Sequence, residues 1–144
     1  STTPETSIQV YYKREKPVYG TMDGVIAQTN LNVVKENAYA YLLNQYLMAT
    51  PGEGFLSPFP KGVSLVMFKQ EGLTAKVVLS NRIADLTGMD LTIALVCLTQ
   101  TILSITGCYE VIISAASKQL DGQNFITLNQ DSYLLLDDSG SSQQ

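Results

Sequence analysis

No charged residue lies between Asp90 and Glu110. Within that stretch Leu91, Leu95, Leu98, Ile102 and Ile105 recur at the spacing of one helical face, and Ala94, Val96 and Cys97 make the helix apolar nearly all round. Asp90 is the expected N-cap and Gly107 the expected left-handed stop. Such a helix has two homes, a bilayer, which about 20 apolar residues can span, or the centre of a core. Thr92, Thr99, Gln100, Thr101, Ser104 and Thr106 interrupt it and no Lys or Arg flanks it, so we read a buried helix.

A chain of 144 residues is long enough for one domain, which at this size buries about two-thirds of its unfolded surface. Only 15% of the residues are charged, below the roughly 25% of an average globular protein. The net charge of −4 and a single basic cluster, Lys13-Arg14-Glu15-Lys16, cannot make a phosphate-tracking stripe, so nucleic acid is not an expected partner. We read that cluster as a solvated loop tip, with contact to an anionic lipid or teichoic acid as the alternative. Histidine is absent, which removes Ser-His-Asp and Cys-His catalysis and most zinc sites. Cys97 lies mid-helix and Cys108 just past the helix end, about 15 Å apart along the axis, too far for a disulfide. Two buried free thiols are expected. The chain opens on Ser1, and we expect a trimmed or processed product whose targeting signals lie outside it.

Residues 1–7 and 137–144 are polar and expected to be loose, leaving 8–136 as a single domain. Ile8 to Tyr12 and Val25 to Leu31 alternate as strands around the Asp23-Gly24 turn signal. From about Lys35 to Met48, Ala38, Tyr41, Leu42, Gln45 and Tyr46 follow helical spacing, and Thr50-Pro51-Gly52 stops them. Val63 to Gly72 and Leu73 to Ser80 read as antiparallel neighbours joined at Glu71-Gly72. On the second of these, Leu73, Ala75, Val77 and Leu79 are expected to face the core, with Thr74, Lys76, Val78 and Ser80 opposite. Tyr109 to Ala116 is a further strand, and Lys118 to Thr127 a turn and strand around Asp121-Gly122. The fold class is therefore α+β, with two long helices packed on one face of a mostly antiparallel sheet and an αββαβ core carrying additional strands.

Between the first helix and the paired strands, Met48 to Gly62 holds three prolines and three glycines, yet also Phe55, Leu56 and Phe59. A flexible linker lacks such anchors, so the loop is expected to pack onto the core. Its segment Gly54-Phe55-Leu56-Ser57-Pro58-Phe59-Pro60-Lys61-Gly62, with the strand that follows, resembles the Gly-Leu-x-Ser-Pro-Leu-Pro-x-Gly loop of the GerM-type sporulation and spore-germination domain of Gram-positive envelope lipoproteins. Thr101-Ile-Leu and Gly107 also fall where that family places its apolar helix and closing glycine. The family usually has an acid where this chain has Val78, and an Asp-Gly turn that the segment from Val111 lacks. The resemblance implies a ring-building-motif-like core in an extracytoplasmic domain, membrane-anchored as a lipoprotein through a lipid or signal outside this chain. It implies a non-catalytic scaffold or protein-interaction role, without cofactor or metal, the partner being an envelope protein or a second copy. A peptidoglycan or glycan-binding module is the alternative.

Two carboxylates could still hydrolyse a glycan, and Glu53 with Asp85 or Asp90 is the pair to test. Asp121-Gly-Gln-Asn and Asn129-Gln-Asp131 lack calcium-loop spacing and read as turns. The tyrosines do not form one platform, because alternation turns Tyr11 from Tyr12 and helix geometry turns Tyr39 from Tyr41. The loop has two readings, a clasp in which Phe55 and Phe59 plug the core under the first helix, or an exposed recognition element rimmed by Glu53 and Lys61. Val78, on the outer side of its strand, is a candidate contact residue, unless a strand from the C-terminal segment shelters it.

Overall fold

The computed structural model describes residues 3–137. Strand β1 (Glu5–Arg14) pairs antiparallel with β2 (Ile26–Val34), with Ile8 opposite Leu31 and Tyr12 opposite Ala27. The ladder runs further than the alternation suggests. Glu5, inside the segment expected to be loose, lies opposite Val34, and the Lys35 amide donates to the Pro4 carbonyl at 3.0 Å. For the same reason α1 (Tyr39–Met48) starts later than Lys35: the chain up to there is still paired, and Ala38 is extended.

Phe55–Leu56, inside the proline-rich loop, forms a short strand β3 against the end of β1 and completes a three-stranded sheet in the order β2-β1-β3. A second sheet, in the order β4-β5-β6-β7, holds β4 (Leu65–Glu71), β5 (Thr74–Leu79), β6 (Glu110–Ala115) and β7 (Ile126–Asn129). A two-residue turn, Gly72-Leu73, joins β4 to β5, with Gly72 at φ 63°, the positive φ that tight hairpins require. That turn corrects one expectation: Leu73 does not face the core but is 66% exposed. On β5 itself Ala75, Val77 and Leu79 are buried and Thr74, Lys76 and Val78 point away.

After a 3-10 turn, α2 (Gly88–Thr106) carries the chain from β5 to β6, which lies parallel to β5, as a crossover through a helix permits. Thr87, rather than Asp90, is the N-cap residue, and Asp90 sits in the first turn. The Asp121 carboxylate accepts the Gly88 amide at 3.0 Å, drawing the helix start onto the later turn. Gly107 ends the helix at φ 76°, its amide bonded to the Leu103 carbonyl at 2.9 Å. Asp121 (φ 47°) and Gly122 (φ 78°) form a mirror-image turn between Leu120 and Gln123, and β7 begins only at Ile126. A 3-10 turn (Gln130–Tyr133) and a short helix α3 (Leu134–Asp137) follow, and residues 138–144 of the expected tail lie outside the described residues.

The molecule is α+β with mostly antiparallel sheets, and apart from β3, which joins the first sheet, α1, β4, β5, α2 and β6 follow an αββαβ order. The strands divide into two sheets, and α2 touches β1 of the first and β6 and β7 of the second. That double contact is why the helix is apolar all round. Leu95, Leu98 and Ile102 are essentially inaccessible, and Thr99 and Thr101 are buried with them. Although α2 is long and apolar enough to cross a membrane, here it is the core helix. Both helices lie on one face of the second sheet: Tyr39 of α1 sets its ring edge-on to Phe68, Phe68 is paired with Val77, and Val77 with Ile113 in the core that α2 fills.

Candidate interaction surface

The proline-rich loop is closed by left-handed glycines, Gly54 at φ 89° and Gly62 at φ 91°. Between them Phe59 is only 7% exposed and meets the Tyr46 ring edge-on at 5.4 Å, beneath α1. The Ser57 hydroxyl accepts the Phe59 amide at 3.3 Å and so shapes the turn that points the ring inward. Pro58 is buried and Pro60 half-buried. Phe55 does not plug the core beside Phe59; it is half-buried on β3 with the Arg14 guanidinium 5.9 Å above its ring, while Leu56 is largely exposed. Lys61 offers its carbonyl to Arg82. The loop is thus a clasp anchored chiefly by Phe59 and Val63.

Around it the carboxylates line neighbouring clefts. Glu53 and Gly54 line an open cleft of about 290 Å³ with Arg14, Glu15 and Lys16. Asp90 lines a different cleft of about 150 Å³, with Lys13 and Ile93, and Asp85 is held by Arg82 at 3.3 Å. Glu53 therefore lines no cleft together with Asp90, although Arg14 and Glu15 border both the Glu53 cleft and a neighbouring one that Asp90 lines, and Asp85 is engaged by Arg82. Among the described residues no three His, Cys, Asp or Glu side chains gather as metal ligands.

Tyr11, Tyr12 and Tyr46 are structural, whereas Tyr19, Tyr41 and Tyr109 are exposed. Tyr46 donates its hydroxyl to the Tyr11 carbonyl at 2.6 Å, and Tyr12 donates to the Tyr46 carbonyl at 3.1 Å, tying α1 to β1 inside the core. Thr101 of α2 accepts the Tyr11 amide at 2.9 Å and brings the third element into the same knot. Burial, which penalises the charged form, pushes the Tyr12 and Tyr46 phenols well above their ordinary range and does the same to the Cys97 thiol. Cys97 and Cys108 are both free and buried.

The second sheet has one face on the core and one bare. On the bare face Val78 is half-buried between its cross-strand partners Met67 and Ser114, and Lys76 lies between Lys69 and Ile112. Glu71 binds Lys76 at 2.9 Å and Lys69 at 3.1 Å; these bonds, the one to Lys76 first, hold its carboxyl below the usual carboxylate range. No strand from the C-terminal segment shelters Val78 among the described residues. That segment lies on the other side: Gln100 of α2 donates to the Gln130 carbonyl at 3.1 Å, and Tyr133 stacks edge-on against Tyr11. What sequence reasoning missed is the pair of amides on α1. Asn44 accepts the Leu65 amide of β4 at 2.8 Å, and Gln45 bonds both the amide and the carbonyl of Val34 on β2. In the sequence these are two polar residues on a helix, and only the placement of two strand edges beside it gives them a role.

No protein-family profile and no curated protein sequence matches the chain. Among solved structures it is similar to the first GerMN domain of the sporulation protein GerM from Bacillus subtilis, with a TM-score of 0.67 at 16% identity, over 88% of this chain and 98% of that one. The tandem GerMN domains of the same protein match over 81% of this chain, which spans 41% of the tandem chain, with a TM-score of 0.64 at 16% identity. A candidate lipoprotein from Clostridium perfringens matches over 92% of both chains, with a TM-score of 0.52 at 17% identity. At such identities the likeness speaks for architecture, and the architecture agrees with the loop and helix resemblance read from the residues: this chain has the fold of a GerM-type domain.

Proposed function

We propose that this chain is a non-catalytic, extracytoplasmic interaction domain of the bacterial cell envelope, of the sporulation-associated kind that GerM represents. The observation that carries the reading is the bare face of the second sheet, where Met67, Val78 and Ser114 form a row that no described residue covers. A half-apolar face on an inner strand is a surface for a partner rather than for a substrate, since it offers no cleft and no acid–base pair. The GerMN fold and the candidate lipoprotein among the neighbours support placing it in the envelope. Pull-down from envelope extracts with wild type and Val78→Asp tests this. The expected result is a discrete partner retained by wild type and lost from the variant. Release of soluble fragments from purified peptidoglycan, abolished by Glu53→Gln, would overturn it in favour of glycan hydrolysis.

A further inference from the structure

The edge of β4 is open where its chemistry invites pairing. In a two-residue hairpin Glu71 and Thr74 form the bonded pair next to the turn, so bonding alternates back along β4 through Lys69. Phe68 and Gln70 then direct their backbone N–H and C=O groups outward, where no described group meets them. α1 reaches this edge through Asn44 on the Leu65 amide and packs Tyr39 against the Phe68 ring, leaving Lys69 to Glu71 beyond it. The β2 edge presents the exposed amides Gln28, Asn30 and Asn32. The β4 edge instead gathers large apolar side chains, Val66 at 58%, Met67 at 42% and Leu73 at 66% exposure.

We propose that two copies of this chain pair antiparallel along their β4 edges, about a two-fold axis at Gln70, making one continuous sheet. Edge charges normally guard against such pairing, because a second copy sets like against like. Here Lys69 and Glu71 flank the axis symmetrically, so each Lys69 falls opposite the Glu71 of the other copy, twice over. The same register lets Gln70 exchange backbone bonds with its counterpart, and the ladder stops there, because Gly72 and Leu73 already turn toward β5 and the Gly72 carbonyl accepts the Gln70 side-chain amide at 3.2 Å. An axis at Phe68 would instead set Lys69 against Met67 and Glu71 against Leu65, with no charge pair between the copies. A two-fold axis normal to the sheet keeps both bare faces on one side, so the dimer presents two copies of the Val78 surface together. This deepens the interaction role proposed above by naming one partner.

Sedimentation equilibrium of the full chain over a series reaching about 1 mM tests it, a range that reads a weak, short interface. Wild type is expected to show a monomer–dimer equilibrium. Gln70→Pro, which removes an outward N–H and leaves the internal ladder intact, is expected to be monomeric with an unchanged circular dichroism spectrum. Lys69→Glu and Glu71→Lys should each weaken the dimer about tenfold, and an equimolar mixture of the two should associate at least as well as wild type. If Gln70→Pro does not fold, the charge-reversed mixture decides. Wild type that stays monomeric throughout, or a mixture that associates no better than its components, overturns the proposal. Since Val78 lies on the inner strand β5, loss of its partner in the pull-down would leave the dimer unchanged, so the two readings fail separately.

Discussion

Leu98 shows how completely a single side chain can depend on its surroundings. It has no accessible surface, because both sheets close on α2 around it. Truncation to Ala should leave a cavity and cost about 2 to 5 kcal/mol, read as a lower denaturant midpoint with an unchanged slope. An unaltered midpoint would mean that the helix is not the centre of the core. Tyr12 and Tyr46 carry a different liability. Each holds its proton more tightly when folded, through burial, than in the unfolded chain, where a phenol titrates near pH 10. Because these folded-state values are raised, the stability they contribute is complete below about pH 10 and lost as pH climbs toward the folded value. The denaturation midpoint is therefore expected to drop in strong alkali. Tyr46→Phe should shrink that drop while costing about 1 to 2 kcal/mol at neutral pH through the lost bond to Tyr11.

α1 owes little to its own sequence. It has no side-chain N-cap and no charge in either terminal turn, and its stability comes from the contacts it makes. Leu43, Tyr46 and Leu47 enter the core, while Asn44 and Gln45 reach the two strand edges beside it. Gln45→Ala is expected to cost about 1 kcal/mol and to accelerate hydrogen exchange at the Val34 amide without changing it at Leu65. Uniform protection at both amides would show that the helix holds the edges by packing alone. The boundary of this element illustrates why local pattern misleads: Lys35 and Glu36 suit a helix, but the β1–β2 ladder already occupies the backbone up to Lys35. By contrast, α2 could be read almost to the residue at its C-terminus, because Gly107 alone can take the left-handed conformation there without strain.

Across the molecule, Val10 and Tyr12 from the first sheet share one core with Val77 and Ile113 from the second, joined through α2. The two sheets should unfold together, so tyrosine fluorescence, which reports the α1–β1 knot, and far-ultraviolet circular dichroism are expected to give coincident denaturation curves. Separated curves would mean that one sheet survives the other. Features set by near neighbours were open to reading from the residues: the uncharged helix, the alternation of Ala75, Val77 and Leu79, the Asp121-Gly122 turn, and a loop that carries its own aromatic anchor. Periodicity and backbone preference act over a few residues, and so they are written in a few residues. The division of strands into two sheets, the pairing of Phe55–Leu56 with β1, the placing of Glu53 and Asp90 in different clefts and the bareness of the Val78 face were settled elsewhere. Each depends on which distant segments meet around α2, and burial of that helix from both sides, rather than any local preference, chose those partners.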